Sequence, residues 1–575
     1  MIPANDLLSA VAPSSIIATI FPDPAPWHIW RRPMHKLRFA LFFLLCVLNF
    51  RLLADEGHQH APHAGEVGSV NFPVSCSAAA QKIFSRSVAM LHSFWYEEAA
   101  KSFTAAAEQD PSCAMAWWGV AMSYYHPLWE PPTADAMKPG AAAVQKAKAL
   151  NAHTDRERGY IAAIDAFYSA DATQDYLARN RIYSQAMEKV YRANPGDTEA
   201  AIFYALSLKA SSPPSDKTFA NERQGGAILE KIFAQQPNHP GIAHYIIHCY
   251  DNPALANQGL DAARRYAQIA PDVPHALHMP SHIFVRLGLW DEAAKSNFAA
   301  MNAGKKYEQD TSMNAAWDQR LHPTDYLVYA LLQSGNDAQA AAIAKELDEI
   351  QKSQPGNLTG GYVLAAVPAR YALERRAWAD AAALKPRPSA FHYTEAVTYW
   401  ARAIGEAHTG DLSGAKKEIG QLKIIENQLL EARQDYWASQ TQVLLQSASG
   451  WLAHAQAKSD EDEERAVMLL NGAADLEDSM EKHPITPGAV LPAREQLADL
   501  LLELKRPAEA LAVYEVSMKT APNRFNSLFG AAKAAEAAGN TPQARHYYAK
   551  LVENCAGSQT HRAEFAQASG YLTKE

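Results

Sequence analysis

The sequence predicts an all-α chain of antiparallel helix hairpins stacked one after another. Three observations predict it. Hydrophobic residues make up 48% and charged residues 20% of the 575 residues, the balance of an ordinary folded protein. Alanine-rich stretches punctuated by Gly and Pro read as helices and turns almost throughout. The chain also matches itself when shifted by 34 residues, and a period of that size belongs to solenoids whose small units bury a core only by stacking. A net charge of −9 and the lack of a dense basic cluster argue against a nucleic-acid partner.

The first segments stand apart from this fold. Residues 1–33 have no helical period and are broken by Pro22, Pro24 and Pro26, which predicts an upstream extension outside the fold, with translation starting at Met34. Residues 34–54 then carry His35, Lys36 and Arg38, the apolar run Phe39 to Phe50, and Ala54. This basic, apolar and small-residue order reads as a secretory signal, with an uncleaved membrane anchor as the alternative. The expectation is export, to a periplasmic or extracellular location. Residues 55–74 form a tail containing the histidine cluster Gly57 to His63, a tract able to capture metal or simply to stay solvated.

From residue 75 the repeat sets in. Ala99, Phe103, Ala106 and Asp110-Pro111 close one unit, and Trp117, Val120, Ala121 and Tyr124 open the next. Near the other end Leu497, Ala498, Leu501, Ala510, Tyr514 and Ala521-Pro522 repeat the theme, succeeded by Leu528, Ala531, Gly539, Ala544 and Tyr548. Small residues recur where two helices cross closely and a larger side chain would push them apart. Further units begin near Thr198, Pro240, Pro274, Leu321 and Ala396. The stretch 129–194 departs from the period and reads as a helical insertion, and 346–390 reads as an irregular linker. The predicted organisation is therefore an N-terminal array over 75–345 and a C-terminal array over 391–575.

This pattern resembles the tetratricopeptide repeat (TPR), in which a bulky residue, Leu-Gly/Ala, Tyr, a turn Gly, Ala, Phe/Tyr, Ala and a closing Pro recur at fixed offsets. The text from Ser75 to Ser123 and from His244 to Ala293 is also similar to a group of exported bacterial TPR proteins of unassigned biochemistry. The resemblance implies a solenoid whose concave groove is lined by positions 2, 5, 9 and 12 of each first helix.

Two histidine pairs, His244/His248 and His278/His282, are each spaced by four residues and lie 34 residues apart. Four-residue spacing puts both rings on one helical face, and the 34-residue offset repeats that face in the next unit. The TPR register places these rings at groove positions 5 and 9, joined on the same wall by His275, His322, Asp251, Asp325 and Tyr329, with Trp118 facing the groove in an earlier unit. A histidine pair of this kind can grip one transition-metal ion, so His244, His248, His278 and His282 are the candidate ligands for zinc, copper, nickel or iron, with Asp251 or Asp325 completing or orienting the set. The alternative is a histidine-lined groove that holds a peptide, a partner protein or a small ligand without metal.

The sequence supports two functional expectations: an exported scaffold that binds through its concave groove, or a metal-dependent enzyme with its site there. No phosphate loop, dinucleotide fingerprint, serine-nucleophile elbow or HExxH motif is present in the sequence. Cys76 and Cys113 fall just before the first helices of adjacent units and are the one pair placed to form a disulfide. The competing reading is a buried thiol at each position.

Overall fold

The computed structural model describes residues 65–574 except 129–131 and 172. The expected extension, the signal or anchor segment and the histidine tract at 57–63 lie outside the described residues. From Ala78 onward the chain is almost entirely helical. Ala78–His92 and Tyr96–Gln109 form the first hairpin, Ala114–Met122 packs against Ala134–Ala149, and Asp155–Tyr168 pairs with Tyr176–Ala193. Thr198–Ala210 with Ala220–Phe233, Pro240–Tyr250 with Leu260–Ile269, and Pro274–Leu287 with Trp290–Asp310 continue the array, the last first helix being stepped at Met279.

The stretch expected to be an insertion thus contains regular helices, joined by turns long enough to shift the 34-residue period. The stretch expected to be a linker contains Leu358–Glu374 and the short Trp378–Ala382, and its one strand is Ser353–Gln354, which pairs in parallel with Ala316–Trp317. Hairpins continue to Thr541–Asn554, and Ala563–Leu572 packs on the end. Among the described residues no helix is long and apolar enough to cross a membrane.

The hairpin turns show why the repeat needs glycine. Gly335, Gly410 and Gly539 sit at φ of 73°, 87° and 74° between the two helices of their units, a left-handed conformation that costs other residues about 1–2 kcal/mol. In the first hairpin that place is taken by Phe94, at φ 54°. Its ring packs on the histidines His244, His248 and His275.

Two non-helical segments lie against the histidine-bearing repeats. At the start, the extended stretch 65–77 carries Phe72 into a ring cluster with Phe84, Trp118, Tyr160 and Phe203, at centroid distances of 5.0 to 6.5 Å. Its backbone is held by Asn238 O, by the Asp272 carboxylate and by Arg156 donating to Pro73 O. Cys76 and Cys113 form a disulfide that ties this stretch to the helix starting at Ala114. Trp118 is therefore buried in the core rather than lining a groove, whereas Trp117 is half-buried under Lys146. The covering stretch turns the inner face of the second unit into interior.

The second segment is the turn 479–492. Tyr326 donates to Thr486 O and Pro484 O, and Arg286 pairs with Glu481. Nearby, helices far apart in sequence are joined by buried charge. Arg370 makes two bonds to Asp325, at 3.0 and 3.2 Å, and Arg524 reaches Glu374, Glu495 and the hydroxyl of Tyr329. All four carboxylate and guanidinium partners of the two main pairs, Arg370–Asp325 and Arg524–Glu374, are fully buried. Asp325 and Tyr329 thus serve this network, and their partners are arginines.

Removing one member of a buried pair strands the other charge, which costs about 3–5 kcal/mol. Urea unfolding of Arg370→Met should show a loss of that order, and the double variant Arg370→Met/Asp325→Leu should recover most of it. Equal stability of the single and double variants would show that the pair is solvated rather than buried.

Candidate metal centre

The helix Pro240–Tyr250 carries His244 and His248 on one face, and Pro274–Leu287 carries His275, His278 and His282. His322 comes from Asp318–Gln333. All six side chains are buried. Close approach of these helices to the first hairpin requires Gly241, because a Cβ there would lie 2.6 Å from Nδ1 of His92.

Each sequence pair stays together and gains a third ring, so the four do not form a single set. The six rings form two trios, His244/His248/His275 and His278/His282/His322, and within each trio one nitrogen per ring lies within 4.8 Å of the other two. The trios adjoin, with centroids of His248 and His282 6.0 Å apart and of His275 and His278 5.9 Å apart. The four-histidine set is thus divided into its two pairs, and His275 and His322 complete the two halves.

Partners at Nδ1 fix the tautomers. Asn297 donates from its amide nitrogen to Ala293 O, and its Oδ1 accepts from Ser281 and lies 2.6 Å from His278 Nδ1. That oxygen can only accept, so His278 carries its hydrogen on Nδ1. His282 Nδ1 lies 2.8 Å from the Asp251 carboxylate, which also accepts from Arg286 and Lys482. Its hydrogen is on Nδ1 as well. The Nε2 lone pairs of His278 and His282 then face each other at 3.0 Å.

In the first trio one ring is fixed in the same way. His244 donates from Nδ1 to the His92 carbonyl at 2.6 Å, and its single Nε2 lone pair meets Nε2 of His248 at 3.0 Å and of His275 at 3.2 Å. A tetrahedral ion bound at about 2.0–2.1 Å holds its ligand nitrogens roughly 3.3–3.4 Å apart. The separations of 3.0, 3.0 and 3.2 Å lie just inside that figure, and the histidine clusters could hold metal.

Electrostatics keep the rings in the ligating form. Burial pushes His244 down to about 3 and holds His248, His275, His278 and His322 well below the ordinary histidine value. His282 is also lowered, burial outweighing the pull of Asp251. Asp251 stays ionised against its own burial because Lys482, Arg286 and His282 hold it down. Neutral imidazole is the form that binds metal, and carboxylate, amide or carbonyl partners at the second nitrogen are the usual way to aim such rings.

A third group carries no signal in the sequence. Glu199 accepts from Nε2 of His92 and of His239, each at 2.8 Å, and His92 Nδ1 meets the Tyr245 hydroxyl at 3.0 Å. Glu199 lies 40 residues before His239 and 107 after His92, so neither helical spacing nor the repeat offset could join them. The two histidines already satisfy both carboxylate oxygens, which distinguishes this group from the facing lone pairs of the trios. His92 links the groups, since its carbonyl aims His244.

Neither a protein-family model nor a curated protein matches the sequence. Among solved structures, the human IFIT1 dimer with PPP-AAAA is 14% identical at a TM-score of 0.34, covering 84% of this chain and 96% of that one. The Naa15/Naa10 complex bound to HypK-THB is 11% identical at a TM-score of 0.22, with coverage of 86% and 91%.

The buried neutral histidines set a pH dependence. The unfolded chain takes up protons near pH 6.5 and the folded rings do so only at lower pH, so stability is full above 6.5 and falls as pH drops below it. For metal-free protein, urea midpoints between pH 6.5 and 5 should fall steeply, and His244→Asn should reduce the slope by about one proton, or about 1.4 kcal/mol per pH unit where the effect is complete. A flat profile over that range would show that the rings are solvated in the metal-free protein.

Proposed function

We propose that this helical-repeat protein binds transition-metal ions at the two histidine trios. The observation that carries the reading is the pair of Nε2 lone pairs of His278 and His282 facing each other at 3.0 Å with both Nδ1 hydrogens already committed. Two acceptors that close repel unless a proton or a cation lies between them, and burial opposes the proton. Three nitrogen donors suit zinc, copper, nickel or iron. A three-ligand set leaves a further position, which supports catalysis or exchange over a purely structural ion. Export belongs to the same proposal: the apolar run at 39–50 and the Cys76–Cys113 disulfide both support an oxidising compartment.

A second reading, a scaffold for a protein or peptide partner, has its own supporting observation away from the histidines. Tyr362, Tyr393, Trp400 and Trp437 line a cleft beside Lys482, with the Tyr393 and Trp437 rings 4.4 Å apart. Aromatic walls with a buried cation suit a polar peptide segment. None of the six histidines lines this cleft, so the two readings do not compete for the same residues.

Elemental analysis of protein purified without an affinity tag of histidines tests the metal reading. Two ions per chain are expected, with one lost in His248→Ala, one lost in His282→Ala and both lost in the double variant. Because the rings are neutral beforehand, metal binding at pH 7 should release close to no protons from them in paired-buffer calorimetry. Trace metal that is unchanged in the double variant would refute the reading, and the tract at 57–63, intact in every variant, serves as the internal control.

A further inference from the structure

The two trios differ in what covers them. The second is closed by Tyr326, whose ring lies 4.8 and 4.9 Å from those of His278 and His282, and by the turn that Tyr326 and Lys482 hold. The first adjoins a cavity of about 300 Å³ lined by Phe94, Tyr96, His126, His275, Gln319 and Phe391. That volume is at the lower end for small-molecule sites. His275 belongs to both the cavity and the trio.

Rings form the cavity's walls. Phe94 stacks on Tyr96 at 5.2 Å, and Tyr96 stacks on His126 at 4.2 Å. On its other side Phe94 meets His244 at 4.4 Å and both His248 and His275 at 5.5 Å. Phe94 holds this place from a left-handed turn position that Gly335, Gly410 and Gly539 take in three other hairpins and Arg376 and Lys505 in two more. Two polar atoms on the wall are buried without a hydrogen-bond partner, the Tyr96 hydroxyl and Oε1 of Gln319. The Gln319 amide nitrogen is fixed by donating to Phe94 O at 3.3 Å, so Oε1 is left to accept. Buried polar atoms normally find partners.

We infer that this cavity is the ligand pocket of the first trio and takes a small planar ring bearing a hydroxyl or amino donor, neutral or cationic. The ring matches the aromatic walls. Its donor satisfies Gln319 Oε1, and its oxygen or nitrogen meets the Tyr96 hydroxyl. Glu97 and Asp318 on the same lining disfavour anions. The end of such a molecule beside His275 is directed at the trio, and in this the inference rests on the metal reading.

Phenol and the full chain loaded with cobalt(II) test it. Two cobalt ions per chain, one phenol per chain by calorimetry, and a shift of the visible cobalt bands are expected. The band shift should persist in His282→Ala and vanish in His248→Ala. Tyr96→Phe and Gln319→Leu should each weaken phenol at least tenfold with cobalt content unchanged, and Ala136→Trp, at the lining away from the trio, should block it. Cobalt-loaded protein that ignores phenol, or binds it with unaltered bands, overturns the pocket while the metal reading stands. Failure to bind cobalt, seen before phenol is added, overturns both.

Discussion

The hydrogen bonds at Nδ1 of His244, His278 and His282 govern the histidine core. Each commits one ring nitrogen to an acceptor, the His92 carbonyl, the Asn297 amide oxygen or the Asp251 carboxylate, and so turns the other lone pair inward. Without those acceptors the rings could alternate donor and acceptor in a closed chain and require nothing else. With them, inward-facing nitrogens accumulate in a region where neither water nor a proton is favoured. The acceptors come from three different helical units, so the direction of the rings depends on the stacking of the solenoid.

That dependence explains the two covering segments. A solenoid of hairpins leaves its inner face open, and histidines there would titrate near 6.5 like any solvated ring. Phe72 on the extended segment and the turn around Thr486 convert parts of that face into interior. The turn does a second job through Lys482, which bonds Asp251 and so helps keep ionised the carboxylate that aims His282. Burial pushes Lys482 itself down to about 8, and its hydrogen bond to an anionic partner keeps it useful there. The buried pairs of Arg370 and Arg524 then join distant helices around the same region, where a lone charge would be costly.

Much of this is legible in the sequence, and the parts that are not have a common cause. Helix hairpins and the recurrence of His244/His248 at His278/His282 follow from local periodicity, which a single sequence displays directly. The assignment of His275 to one trio and His322 to the other depends on how three helices pack, and so on geometry that spacing alone does not encode. Asp251 stands beside a ring, as its register implies, because it is seven residues from His244 on one face. Asp325 and Tyr329 share the register of the histidines, yet Arg370 and Arg524 claim them, and those arginines lie 45 and 195 residues away. Trp118 departs from its expected place because the repeat register describes an open groove, whereas here the chain's own extended segment fills it. Glu199 carries no local signal at all.

The composition of the trios also constrains what they hold. Six neutral nitrogens supply no charge, and the ionised groups nearest the second trio, Asp251 and Glu481 against Lys482 and Arg286, balance one another. The first trio is surrounded mainly by the rings of Phe94, Tyr245 and Tyr266. The cost of burying an ion rises with the square of its charge, so a bare dication in either place would be opposed far more than a monovalent ion. A dication becomes tolerable when an anion completes its ligands, and this needs an open side. Under the proposed metal reading the first trio, beside its cavity, is the one whose ion can acquire a further ligand, and the second, under Tyr326, holds a dication more weakly. Two sites of identical ligand type are thereby made different by their surroundings alone.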